Sequence, residues 1–293
     1  MNILLLGSGG LLGRYLAKEL AAGHALVAQT HQDADITDAS RLDGLFARQW
    51  DAVINAAAVC DFDACEKNPG ETGRINLEAP LDLARRCAAQ DALFVQYSSD
   101  YVFGGEDDRL LSESDAPHPL SVYGRQKADL EQLIPSACPR NLILRVSWLY
   151  GLGGKTFMSR MPGLLMQQQS VRTAAGKKGC CLYAADGAFW TRQLIEAGQT
   201  GLLNLVNPGG TSWEEFAQVT LVQMNALGLA PKCGDIQTVP YEQLGPDWAK
   251  RPRHSCLDAG KLASVLPPGP RTWREGLGEF LSAWKSVAAA QTV

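Results

Sequence analysis

The chain is 293 residues long, 46% hydrophobic and 20% charged, with a formal net charge of -4 at pH 7. That length suits an α/β domain with a smaller companion, and the acidic balance gives no basic surface for nucleic acid. No apolar run approaches the ~20 residues of a membrane span, and the N-terminus reads as a strand entering a turn rather than a signal peptide.

From the N-terminus, Ile3–Leu6 reads as a short apolar strand and Leu11–Ala22 as a helix with Leu12, Leu16 and Leu20 on one face. A second strand, Ala25–Ala28, precedes a short helix over Ser40–Arg48, with Ser40 as its N-cap. Ala52–Ile54 is a third strand, running into Asn55-Ala56-Ala57-Ala58. Arg74–Ala89 reads as a helix, and Leu93–Tyr97 as a strand ending at Ser98-Ser99-Asp100. A proline-bearing loop over Ala116–Leu120 leads to a helix over Val122–Leu133 and a strand over Asn141–Val146. This order predicts a Rossmann-type doubly wound parallel sheet with helices on both faces.

Beyond Trp148 the regularity weakens. Gly151–Gly154 and Gln167–Gly179 read as loops flanking a helix, Ala184–Gly198 as a helix and Leu202–Val206 as a strand. Thr211 or Ser212 caps a helix from Trp213, with Glu214 and Glu215 in its first turn, and a closing helix lies near Trp273–Trp284. The expected division is a dinucleotide-binding domain over 1–150 and a smaller C-terminal substrate-binding domain over 151–293, with some later segments returning to the first. Eight cysteines form no C-x-x-C unit, so free thiols in a reducing, cytoplasmic compartment are expected.

Gly7-x-x-Gly10-x-x-Gly13 follows a strand and opens a helix, the context of a dinucleotide loop. Gly7 allows the tight turn, Gly10 the approach of a pyrophosphate and Gly13 close helix–strand packing, while the N–H groups around Leu11 and Leu12 face the phosphates. Thr30 and His31 end the second strand, where an acid would bind the ribose 2′-hydroxyl and a basic residue a 2′-phosphate. With no acid at that tip, NADPH is expected ahead of NADH. Asp35 and Ile36 follow, where related folds touch adenine; capping of the Ser40 region is the other reading of Asp35.

Tyr123 and Lys127, four apart on a helix, share a face, and Ser99 arrives from a strand end. Ketone reduction needs a hydride on carbon and a proton on the developing alkoxide. Tyr123 is the proton donor, Lys127 an ammonium that lowers its pKa and holds the nicotinamide ribose, and Ser99 the hydroxyl that positions the substrate oxygen. Ser98 is the alternative hydroxyl. Trp190 and Trp213 suit core packing, with stacking on a base or sugar the other reading, His118 suits a loop, and Arg251 and Arg253 suit a diphosphate.

These motifs resemble the extended short-chain dehydrogenase/reductase family, and within it the dTDP-4-dehydrorhamnose reductases. The likeness covers most of the chain: the glycine loop, Asn55–Ala58, Asn76–Pro80, Ser99–Phe103, Pro119–Lys127, Arg145–Gly151 and Arg251–Ser255. It implies that the loop, Ala56, Ala57, Ala58 and Asn76 line the cofactor, that Ser99, Tyr123 and Lys127 reduce, and that Asp100, Val102, Trp148 and Arg251 lie toward a nucleotide sugar. The implied reaction takes hydride from NADPH to the C4 ketone of a dTDP-linked 6-deoxy-4-ketohexose, in a monomer or homodimer. The related dehydratases carry Asp-Glu after the hydroxyl residue; Asp100-Tyr101 here argues for simple reduction.

Two departures stand out. An Asp-Gln-x-Gly-x-Pro-Thr stretch of the reductases is matched here by Gly176-Lys177-Lys178-Gly179-Cys180-Cys181-Leu182. Tyr15 stands where some members use a glutamate to bind magnesium at a dimer contact, so no metal is expected. A non-catalytic NADP-binding regulatory subunit and a sugar-nucleotide epimerase are the alternative functions.

Overall fold

Alternating apolar residues in the first strands send side chains to both sides of a sheet, and both sides are buried. In the computed structural model, which describes residues 1–106, 108–244 and 249–290, Ile3 and Leu5 enter one core layer and Leu4 and Leu6 the other. The first half runs β1 (Asn2–Leu6), α1 (Leu11–Ala21), β2 (Ala25–Gln29), α2 (Ala39–Phe46), β3 (Ala52–Asn55), α3 (Phe62–Lys67) and α4 (Pro69–Gly73). A π-helical turn over Arg74–Glu78 then joins α5 (Ala79–Ala89), followed by β4 (Leu93–Ser99), α6 (Val122–Ala137) and β5 (Asn141–Val146).

The second half contains β6 (Leu149–Tyr150), α7 (Phe157–Gln167), β7 (Ser170–Ala174), β8 (Lys178–Cys180), β9 (Leu182–Tyr183) and α8 (Ala184–Glu196). It continues through β10 (Gly201–Asn204), β11 (Gly210–Ser212), α9 (Trp213–Ala226), β12 (Asp235–Val239), β13 (His254–Ser255), α10 (Gly260–Val265) and α11 (Trp273–Ala290).

The central sheet has six parallel strands in the order β10-β5-β4-β3-β1-β2. Strand order reverses at β1, whose neighbours are β2 and β3. In such a sheet a crevice opens beyond the carboxyl ends of the strands at that reversal, where ligands bind. One sheet face is covered by α1 and α8, whose Leu12, Leu16, Leu20, Trp190 and Leu194 share a core with the odd residues of β1. The other carries Leu42, Leu83, Leu130 and Ile134. A third cluster, around Tyr150, Tyr183, Phe216, Trp273 and Phe280, ties α9 and α11 to the short strands β6 and β9. β10 and α8, both beyond residue 150, pack with the first half of the chain. Among the described residues no helix is long and apolar enough to cross a membrane.

Several local expectations change. The N-cap of α2 is Asp38, whose carboxylate accepts from the Arg41 N–H, because Ser40 already lies inside the first turn. Asp35 instead accepts from the Thr37 N–H and hydroxyl, which hold its carboxyl below the usual range. The expected loop over Gln167–Gly179 contains β7 and the start of β8. The strand expected over Leu202–Val206 ends at Asn204, where Glu113 accepts from the Asn204 N–H. Ser212 is the cap of α9, accepting from the Glu215 N–H.

Candidate active site

The crevice at the β1/β3 reversal is a cleft of about 360 Å³ lined by Gly7, Gly10, His31, Asp35, Ala57 and Ile75, with Ile36, Ala56 and Ala58 also on its wall. Gly7 has φ +79, and a Cβ there would stand 2.5 Å from the Ala57 nitrogen. A Cβ on Gly13 would stand 2.1 Å from the Gly7 carbonyl oxygen. Loop, helix and alanine wall therefore meet at distances only glycine permits. Gly10 caps α1 without a side-chain bond, so the first-turn N–H groups face the cleft end as phosphate donors. The donor set and the glycine cradle fit a dinucleotide.

Not every expected cofactor residue faces this cleft. Leu12 is buried in the core, so only its backbone can serve a phosphate. Thr30 is held back from the cleft: its N–H and hydroxyl both donate to Asp33. Asn76 is fully buried in the π-helical turn and acts as a clamp. Its amide oxygen accepts from the Val59 N–H at 2.8 Å, and its nitrogen donates to the Val59 carbonyl at 3.0 Å and to Gln126 at 2.9 Å. It shapes the wall after Ala58 rather than touching what lies inside.

Strand alternation separates the two serines at the end of β4. Ser98 donates to Glu131 on α6 at 2.6 Å, and Ser99 turns the other way, to Asp100 at 3.1 Å and to the Tyr123 hydroxyl. Tyr123, on the first turn of α6, is 6% exposed, and its hydroxyl also meets the Cys60 thiol. Lys127, one turn on, is 2% exposed; its Nζ donates to the Tyr97 carbonyl at 3.1 Å and lies 5.7 Å from the Tyr123 ring centroid. Ser99, Tyr123 and Lys127 thus converge where β4 ends.

The expected lowering of the Tyr123 pKa does not occur. Burial pushes this phenol well above its usual value, the charges of Cys60 and Asp100 push the same way, and the Ser99 hydrogen bond opposes them. Burial also lowers Lys127. Tyr123 therefore keeps its proton at neutral pH, the state a donor to an alkoxide requires.

Two residues expected to touch substrate are placed elsewhere. Val102 is fully buried in a cluster with Phe103, Leu111, Val206 and Leu257. Asp100 is 2% exposed, and its carboxylate accepts from Ser99, from Ser147 at 2.9 Å and from Ser255 at 2.6 Å. Burial raises its pKa to about 6, against the three serine hydrogen bonds.

The sign of the resulting pH effect is fixed. Asp100's folded value lies above its ordinary 3.8, so the stability it adds is complete below ~4 and lost as pH rises through ~6. Asp100→Asn removes that dependence. Denaturant midpoints at pH 5 and 8 should show wild type losing about 1–2 kcal/mol relative to Asp100→Asn over this interval. A pH-independent difference would contradict the buried charge.

Trp148 and Arg251 do converge. They line a narrow pocket with Tyr101, Lys177, Trp213, Tyr241, Pro252 and Ser255. Trp148 takes φ +26, a strained conformation for a non-glycine residue, and packs edge-on to Trp213 at 6.2 Å. Phe62 stacks on Tyr101 at 4.4 Å and meets Tyr123 edge-on at 5.0 Å, and the Arg251 guanidinium lies 5.1 Å above the Phe62 ring. This aromatic set joins the pocket to Tyr123.

Sequence reasoning missed Cys60, Phe62, Tyr101, Lys177 and Tyr241; of the two readings of Trp213 both hold in part, since it packs against the third cluster and also lines the pocket. Trp213 is half-buried, stacked on Phe157 at 4.4 Å; Trp190 does lie in the core. The signal for Cys60 and Phe62 was their place directly after the alanine wall. Tyr15, in the position compared with a metal-binding glutamate, accepts from the Leu152 N–H at 2.8 Å and joins α1 to the second half.

A family model described as the RmlD substrate binding domain matches residues 1–286. A dTDP-4-dehydrorhamnose reductase of Mycolicibacterium smegmatis is 32% identical over 290 residues, covering 96% of this chain and 85% of the relative. Among solved structures, the dTDP-4-dehydrorhamnose reductase of Bacillus anthracis in complex with NADP is similar with a TM-score of 0.89 at 27% identity, over 96% of this chain and 98% of that one. The dTDP-4-dehydrorhamnose reductase of Clostridium acetobutylicum gives 0.87 at 29% identity, over 97% and 100%.

Proposed function

The chain belongs to the RmlD substrate binding domain family, and on that premise we propose that it is an NADPH-dependent reductase of dTDP-4-dehydrorhamnose, forming dTDP-L-rhamnose. The observation that carries this reading is the buried convergence of Ser99, Tyr123 and Lys127 at the carboxyl end of β4, with Asp100 closed off by three serines. An elimination needs a free acid beside the hydroxyl residue. The one carboxylate adjacent to Ser99 in sequence is fully engaged.

When bound, the cofactor supplies a hydride to the C4 carbonyl carbon. The glycine loop and the first turn of α1 would hold its pyrophosphate, and Ala56–Ala58 with Asp35, Ile36 and His31 its adenosine half. Lys127 would hold the nicotinamide ribose. Ser99 positions the carbonyl oxygen, and Tyr123 gives its proton to the alkoxide as it forms. Trp148, Trp213 and Tyr241 offer ring faces to the base or sugar, and Arg251 a cation to the diphosphate. On this reading residues 1–150 carry the cofactor side and 151–293, joined by Trp148, most of the substrate side, with β10 and α8 returning to the first half. A cytoplasmic setting goes with the eight free cysteines.

The test is the loss of reduced-nicotinamide absorbance with dTDP-4-keto-6-deoxy-L-mannose, NADPH and NADH being compared. Turnover, faster with NADPH, is expected. Retained NADPH binding without oxidation of either cofactor would leave the regulatory-subunit reading in its place.

A further inference from the structure

Lys177 stands in the stretch that departs from the reductase pattern, at the position of its glutamine. Its side chain is buried, and Nζ donates to the Arg251 carbonyl at 3.2 Å and to the Pro252 carbonyl at 3.1 Å. The same ammonium lies 4.1 Å from the centroid of the Tyr241 ring. One side chain thus joins the β7–β8 turn, the Arg251 segment and an aromatic wall of the pocket.

The segment it grips connects two halves of the site. At one end Arg251 sits above Phe62, which packs on Tyr101 and Tyr123. At the other end Ser255 reaches Asp100, the acceptor for Ser99. Between them the backbone is held by the Lys178 N–H to the Arg253 carbonyl at 2.8 Å and by the His254 N–H to the Gly105 carbonyl at 3.3 Å. β13 pairs with β8 over only two residues, His254↔Lys178 and Ser255↔Gly179. So short a ladder leaves Arg251 and Pro252 beyond its end. Two charge-assisted hydrogen bonds from Lys177 to consecutive carbonyls hold them there.

We propose that Lys177 is a positioning residue for the sugar-nucleotide side of the site, pinning the Arg251–Pro252 backbone so that Arg251 stays above Phe62. The proposal rests on the reductase reading above. It assigns the departure at 176–182 a consequence: binding of the anionic substrate depends on a lysine ammonium that acts through Arg251. Loss of the pin lowers substrate affinity because a cation no longer held in place must then be ordered at the moment of binding.

The test compares Lys177→Met, which keeps the length and loses the charge, with Lys177→Arg. In steady-state kinetics with NADPH and dTDP-4-dehydrorhamnose, Lys177→Met should raise KM for the sugar nucleotide roughly tenfold or more, with kcat within about threefold and NADPH binding unchanged. Lys177→Arg should recover most of that loss. Hydrogen exchange supplies a readout independent of substrate: the Lys178 and His254 amides should exchange faster in Lys177→Met, with β5 amides unchanged. Unchanged KM, or unchanged exchange at these two amides, overturns the pin. A general loss of protection reaching β5, with a fall in kcat and NADPH affinity, would show a merely structural lysine and also overturn it. Absence of turnover in wild type would count against the reductase reading, while the exchange experiment still decides the role of Lys177.

Discussion

Tyr123→Phe is expected to lower kcat by about 10²–10⁴-fold, the range associated with a positioned proton donor, while leaving NADPH affinity and thermal stability close to wild type. The ring is held by Phe62 at 5.0 Å and Tyr101 at 6.0 Å, and phenylalanine keeps both contacts. Only the hydroxyl is lost, and with it the phenol hydrogen-bonded to Ser99. Because burial pushes Tyr123 well above its usual pKa, wild-type reduction should also show no loss of an essential acid near neutrality. Measuring kcat against pH for both proteins, with melting curves as a control, checks each part. A variant that keeps more than about a tenth of wild-type kcat would move the proton donor to another group, with Cys60 the next candidate at the Tyr123 hydroxyl.

The convergence of Ser99, Tyr123 and Lys127 was legible in the sequence because its geometry is local. Tyr123 and Lys127 share a helix face by spacing alone, and Ser99 ends a strand whose apolar run is easily read. The parallel sheet was legible for a similar reason: β1, β3 and β5 are buried on both faces, so their apolar runs are continuous. What was illegible depends on partners far along the chain. β7 reads as a loop because Ser170 and Arg172 are polar, and its pairing with β12 joins Ser170 to Asp235, sixty-five residues away. α3 and α4 hid behind Asn68-Pro69-Gly70, although Asp61, accepting from the Ala64 N–H, was a usable start signal. Asp100 and Val102 sit in a motif whose likeness implies substrate contact, yet side-chain direction at a 3-10 turn does not follow from the letters. Three serines from three segments decide it. The Tyr123 pKa went the other way because depth of burial, unlike spacing, is a property of the whole fold.

The largest loss of stability is expected from breaking the ion pair of Arg145 and Glu131. The two side chains are 1% and 6% exposed, and they meet in a fork, Nε to Oε1 at 2.8 Å and Nη2 to Oε2 at 2.6 Å. Ser98 adds a third donor to the same carboxylate, and the guanidinium lies 4.8 Å from the Phe103 ring centroid. Arg145→Met leaves the carboxylate buried without its cation, and Glu131→Leu leaves the guanidinium so. Each single change should cost about 3–5 kcal/mol, or a fall in Tm on the order of 10 °C. The double change removes both charges together and should regain most of that loss, since a buried pair adds little over well-packed apolar groups. Thermal melts of the four proteins complete the cycle, and single variants that melt with wild type would refute it. The pair matters beyond stability because Glu131 is on α6, four residues past Lys127, and Arg145 is on β5. With Ser98, it ties the helix bearing Tyr123 to the carboxyl ends of β5 and β4, where Ser99 lies. Residual activity in the single variants should therefore fall further than the folded fraction alone explains, and the double variant should recover activity only as far as it restores that alignment.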